Sequence, residues 1–188
     1  MRMMAARSIN EIEHLGPFLR RWLLPAASAA PIIRSLRSTT GNINLSGSVG
    51  SSRSALLARD EPDFFASVEP GVRALVSAFV AIGAITYTSC EGHDYGDNAP
   101  DEQHVGVLVR NDAEARQLED MWRAAESVIT PPLELGLMCH SVASEGRTIR
   151  AMDFYLTCGE GITTVDYFAG LPAASAAVTA AVLALRAK

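Results

Sequence analysis

The sequence is poor in the features that usually announce a function. Cysteine occurs three times in 188 residues, as Cys90, Cys139 and Cys158. An odd count excludes a fully paired disulfide framework and fits a reducing, cytoplasmic compartment. Lysine occurs once, as Lys188, and no run of basic side chains tracks a phosphate backbone. No uninterrupted apolar run of 18 residues is present, so no membrane span is expected. Neither G-x-x-x-x-G-K-[ST] nor G-x-G-x-x-G occurs, and no nucleotide cofactor is expected. No heptad or internal repeat is visible. What is present is apolar: 48% of the residues are hydrophobic and 20% charged, too rich in core formers for a disordered chain.

Charge is unevenly spread. Residues 1–59 carry eight arginines against Glu11 and Glu13, whereas residues 60–188 carry eight basic residues against 19 acidic ones. An acidic body repels phosphate, so nucleic acid is not an expected partner. The basic head is expected either to fold back on the body or to dock on a protein partner or a second copy of the chain. Arg20-Arg21 followed by Trp22–Ala30 imitates a secretory signal, but Pro25 breaks its apolar stretch and Glu11 and Glu13 precede it.

Ser8-Ile9-Asn10-Glu11 matches a capping box, and Ile12, Leu15, Phe18, Leu19, Trp22 and Leu23 recur at helical spacing. The pattern predicts a helix from Ile9 to Leu24, ended by Pro25. Residues 38–54 are Ser-, Thr-, Gly- and Asn-rich with no apolar face and read as a linker. The chain is therefore divided into a helical arm with linker (1–55) and a compact domain (56–188).

In the compact domain, Pro70 opens a helix carrying Val72, Leu75, Val76, Phe79 and Val80, and Gly83 closes it. Ala84–Ser89 reads as a strand, Cys90–Gln103 as a polar acidic loop and His104–Arg110 as a second strand. Asn111 or Asp112 caps a helix to Ser127. Leu133–Ala143 and Arg147–Cys158 form a hairpin around Ser144-Glu145-Gly146. Pro172 is expected to open a last helix. The order predicts an α+β fold, a mostly antiparallel sheet of about four strands with helices on one face.

Chemistry concentrates in Thr86-Tyr87-Thr88-Ser89-Cys90-Glu91-Gly92-His93-Asp94, where a strand ends in a tight turn. Cys90 and His93 lie three residues apart around a turn that Gly92 permits, and thiolate and imidazole are favoured ligands of zinc and similar divalent transition metals. The same pair also suits a cysteine nucleophile with a histidine base. His104, across the loop bearing Asp94, Asp97, Asp101 and Glu102, completes a candidate metal set of Cys90, His93 and His104. In the hairpin, a two-residue turn at Glu145-Gly146 pairs 144 with 147, 140 with 151 and 138 with 153. His140 and Asp153 then share a face as diagonal neighbours, and Cys139 points to the other face. Cys90, Glu91, His140 and Asp153 form the candidate catalytic set, with Glu91 or Asp153 as base or supporting carboxylate. Each has a plain structural reading as well: Cys90, Cys139 and Cys158 as small core residues, the acids as a solvated loop, and Trp22 and Trp122 as core anchors. His14 carries no expected role.

Gly83, Ile85, Thr86, Ser89, Cys90, Gly92 and His93 match a strand ending in Ser-Cys-x-Gly-His. Over residues 70–125 the chain resembles small uncharacterised bacterial and phage-encoded proteins with this motif. The resemblance implies a shared turn and a phage or genome-defence setting. The motif is also similar, over four residues, to the Ser-Cys-x-Gly-Arg of the tRNA methyltransferase of wybutosine synthesis, with His93 in place of its arginine. Two kinds of function are thus expected: a metal-dependent or cysteine-based enzyme of small-molecule or hydrolytic chemistry, or an interaction module working through residues 1–55 with the Cys90 turn structural.

Overall fold

The computed structural model describes residues 1–5, 10–11, 15–23, 58–61, 64–94, 96, 100–130, 133–144 and 146–184. The 38–54 linker, the boundary at residue 55, Ser8, His14 and Asp97 lie outside the described residues.

The sheet is built on one long hairpin. Strands β5 (Leu133–Ser144) and β6 (Arg147–Cys158) pair from Ser144↔Arg147 to Leu133↔Cys158. His140 faces Ala151 and Met138 faces Asp153, the register that a two-residue turn dictates. Gly146 takes φ +75°, a conformation open to glycine at little cost. Strand β4 (Gln103–Leu108) pairs antiparallel with β6, and β3 (Ile85–Cys90) pairs antiparallel with β4. The β3–β4 register shifts between Thr86 and Thr88. A bulge of this kind re-aims a side chain, here Tyr87.

The chain's beginning departs from expectation. Arg2–Met3 (β1) and Asn10–Glu11 (β2) are short strands lying parallel to β5, at Gly136–Leu137 and Val142–Ala143. The sheet is therefore mixed, with the four antiparallel strands extended by an N-terminal edge. Glu11 belongs to a strand rather than a capping box. The outer backbone groups of β5 need partners, and that demand outweighs a local helix signal. Helix α1 runs Leu15–Leu23, shorter than expected. Its Leu15, Phe18 and Trp22 are buried in the common core, and Trp22 meets Phe64 of the short helix α2 (Phe64–Ser67) edge-on at 5.8 Å. The described part of the expected arm is thus part of the fold.

Helices α3 (Arg73–Ala81), α4 (Asp112–Ala125) and α5 (Thr164–Ala184) cover the sheet face that bears Phe154. Phe79 and Trp122 close on Phe154 with ring centroids 5.0 and 5.2 Å away, and Gly170 admits Leu133 against α5. Aromatic burial of this kind contributes roughly 1.5–3 kcal/mol per side chain. Asn111 caps α4, its side chain accepting from the Glu114 amide. Pro172 lies inside α5 rather than at its start. The helix begins eight residues earlier, at Thr164, where the Thr163 hydroxyl accepts from the Asp166 amide at 3.1 Å. A good cap outweighs one lost amide donor. By length and composition α5 is apolar enough to cross a membrane; Tyr167, Leu171, Val178 and Val182 are buried, and the helix packs on α3, α4, β5 and β6. The opposite sheet face, with Met138, His140, Asp153 and Tyr155, is buried as well.

Candidate metal centre

Strand β3 ends at Cys90, and the chain turns through Glu91 and Gly92 to His93. Gly92 takes φ +90°, and a Cβ there would meet the backbone of Asp101 and Gln103 at 3.1 and 3.3 Å. The turn is held from beyond: His93 and Asp101 exchange backbone hydrogen bonds of 3.0 and 2.9 Å. This pins both ends of the acidic loop and fixes where the His93 ring leaves the backbone.

A third donor comes from a segment the sequence did not single out. Glu69 precedes Pro70 at the entry to α3, and its carboxylate reaches the turn. Oε2 accepts from the Glu91 amide at 2.8 Å, and Oε1 lies 3.1 Å from His93 Nε2. One donor atom each from Glu69, Cys90 and His93 lies within 4.8 Å of the others, and the three residues can hold a metal ion. The donor types fit. Ligand bonds of about 2.0–2.3 Å at tetrahedral angles place donor atoms about 3.3–3.7 Å apart, so little movement is needed. Glu69 and Cys90 are 6% and 4% exposed, whereas the His93 side chain is 22% exposed and sets the open side.

Burial favours the neutral forms of the two acidic donors. Burial pushes the Cys90 thiol up to about 12; the carboxylates of Glu69, Asp101 and Glu91 add to the rise, and the Gly92 amide, 3.4 Å from Sγ, opposes it. Burial likewise raises the Glu69 carboxyl above its ordinary range, against the Glu91 amide and His93, which lower it. A raised thiol is the reverse of what activates a cysteine nucleophile. A nearby cation would offset both penalties.

The remaining predicted residues are dispersed. Glu91, expected as a base, turns its carboxylate to the Gly71 amide, which donates to Oε2 at 2.6 Å. His104 sits opposite Cys90 in the β3–β4 ladder but is not among the gathered donors; its ring stacks on Tyr155 at 5.0 Å and its Nδ1 lies 3.3 Å from the Glu102 carbonyl. Of the expected set of Cys90, His93 and His104, the gathered donors among the described residues include Cys90 and His93, with Glu69 beside them. Cross-strand pairing fixes a Cα neighbour, but the aromatic surface of Tyr155 decides where the His104 ring lies.

His140 and Asp153 do meet, in a separate buried cluster. His140 Nε2 is 3.0 Å from Asp153 Oδ2, Tyr87 donates to Asp153 Oδ1 at 2.8 Å, and Tyr87 Oη lies 3.1 Å from His140 Nε2. Burial and the Asp153 charge raise the Tyr87 hydroxyl, keeping it protonated as the donor. Gly106 makes the room. A Cβ there would fall 2.4 Å from Thr88 Cγ2, 2.6 Å from Asp153 Oδ1 and 2.7 Å from Tyr87 Cε1. From sequence, Tyr87 has only a strand-forming role within the Thr86–Asp94 segment and Gly106 has none. A lone glycine opposite an acid in a strand pair is the signal that points to them.

Elsewhere, Cys139 and Cys158 are half-buried free thiols, and Asp94 caps its own loop through the Gly96 amide at 2.9 Å. Glu102 Oε1 accepts from the Cys158 amide at 2.8 Å. Comparison with protein-family models, with curated proteins and with solved structures gives no match for this chain.

Proposed function

We propose that the protein is a metal-dependent enzyme whose Glu69–Cys90–His93 centre binds a divalent transition ion, zinc foremost, for hydrolytic chemistry on a small molecule. One observation carries this reading: an oxygen, a sulfur and a nitrogen donor from two separate segments converge within 4.8 Å. Two of them are buried, and a bound cation would favour their ionised, ligating forms. Three protein ligands leave a coordination position for water, the pattern of catalytic rather than closed structural zinc sites. The ion supplies a Lewis acid and a water that ionises near neutral pH. The chain contributes the rest: Glu69 and Cys90 supply negative charge, and His93 forms the exposed wall where a substrate arrives. Glu91 and Asp153 carry internal hydrogen bonds and are not assigned the base role.

The rival reading, a docking module working through residues 1–55, receives less support. The described residues of that segment are spent on the β5 edge and on the core.

The test is metal binding by the full chain. Cobalt(II) titration is expected to raise a thiolate-to-cobalt absorption band in the near ultraviolet, and zinc to abolish it. Cys90→Ser removes the band, and Glu69→Gln and His93→Ala weaken binding. A wild-type protein that takes up neither ion overturns the reading, as does a Cys90→Ser variant with unchanged metal content.

A further inference from the structure

Donors from distant parts of a chain bind a metal well only if something fixes their relative position to a fraction of an ångström. Glu69 enters from the segment before α3, and Cys90 and His93 from the turn after β3. Besides the contacts of Glu69 itself, two links join these segments. Gly71 donates to Glu91 Oε2, an exposed bond on the surface. The other link is buried: Gln103 Nε2 donates to the Gly71 carbonyl at 3.1 Å and to the Glu91 carbonyl at 3.5 Å. One amide group thus spans both donor-bearing segments.

Gln103 is well placed for this. It is 1% exposed and opens β4, where it faces Leu156 of β6. Its backbone amide donates to Tyr167 Oη at 2.8 Å, and that hydroxyl donates in turn to the Leu156 carbonyl at 2.9 Å. The side chain therefore projects from a point locked by two strands and α5. Its own Oε1 is buried and accepts no hydrogen bond among the described residues. A buried unpartnered amide oxygen destabilises the fold, so the amide's contribution lies in the two bonds it donates.

We propose that Gln103 is the positioning residue of the metal centre, holding the Glu69 segment and the Cys90–His93 turn in register through Gly71 and Glu91. The proposal rests on the metal reading above. Its test is cobalt(II) titration of the full chain, wild type against Gln103→Met, with thermal unfolding of the metal-free proteins in parallel. Gln103→Met keeps volume and removes both donated bonds. The expected result is affinity about 10- to 100-fold weaker, the range typical of residues that orient metal ligands, together with altered visible d–d bands. The metal-free melting temperature falls only modestly, because the loss of the two donated bonds is partly offset by removal of the unpartnered oxygen. Should Gln103→Met fail to fold, Gln103→Asn, which keeps the amide but shortens its reach, is expected to weaken cobalt binding in the same titration. Wild-type affinity and spectrum in the folded variant overturn the proposal. Wild-type protein without a thiolate-to-cobalt band instead overturns the metal reading itself.

Discussion

The molecule holds two polar clusters of similar composition and opposite character. Tyr87, His140 and Asp153 come from three strands in the body of the sheet, and their polar atoms meet one another at 2.8–3.1 Å. The three side chains hydrogen-bond one another inside the sheet, and the group is a buried network. Glu69, Cys90 and His93 stand at the end of β3 with a partly exposed histidine, and two acids there are held above their ordinary pKa by burial. That group gathers an oxygen, a sulfur and a nitrogen donor on a partly open side and could hold a metal ion. The presence of histidine and carboxylate does not distinguish a site from a core network; the balance of charge and access does.

The comparison breaks first at Asp153. Asp153→Ala leaves His140 and Tyr87 buried without their acceptor and is expected to cost about 3–5 kcal/mol in urea denaturation, with cobalt binding retained by the folded fraction. A loss below 1 kcal/mol would mean that the buried cluster is not structural.

Alkaline pH acts on the other cluster. The folded Cys90 thiol at about 12 lies above its ordinary 9.0. A raised value stabilises the fold fully below pH 9, and the contribution drains away between about 9 and 12. Metal-free wild type should therefore lose up to about 1.4 kcal/mol per pH unit above 9 from this group. Urea titrations at pH 8 to 11 check it: Cys90→Ala should show the shallower decline, and parallel curves would refute the assignment.

Gly106→Ala should cost about 1–3 kcal/mol by overpacking against Asp153, Tyr87 and Thr88, again with metal affinity unchanged. The smallest effect sharpens the contrast. Glu69→Gln removes a buried carboxylate whose raised pKa marks it as unfavourable when ionised. Near pH 7 it should leave metal-free stability equal or higher by less than about 1 kcal/mol, while metal binding falls. Destabilisation by more than that would place Glu69 with the structural residues.

Much of this was legible where short-range geometry governs. The length of the turn at residues 145–146 and the period of two put His140 diagonally across from Asp153. Asn111 announced the start of α4, and Cys90-Glu91-Gly92-His93 announced a turn with two metal-type donors. Other features followed from competition between distant parts. Glu11 pairs as a strand because β5 offers an open edge. Pro172 sits within α5 because Thr163 caps the helix upstream and tertiary contacts hold it. Tyr87 reaches Asp153 through a bulge that no alternation pattern encodes, and His104 follows Tyr155 rather than Cys90.

By itself the sequence determined the α+β architecture, the hairpin register and the pair of donors on one turn, because neighbours within a few residues are confined by backbone geometry. Only the tertiary structure decided that Glu69, 21 residues before Cys90, meets Cys90 and His93 and that His140 and Asp153 belong elsewhere. Which carboxylate meets a thiol depends on how α3 docks against the sheet, a matter of burial summed over the whole core rather than of any local motif.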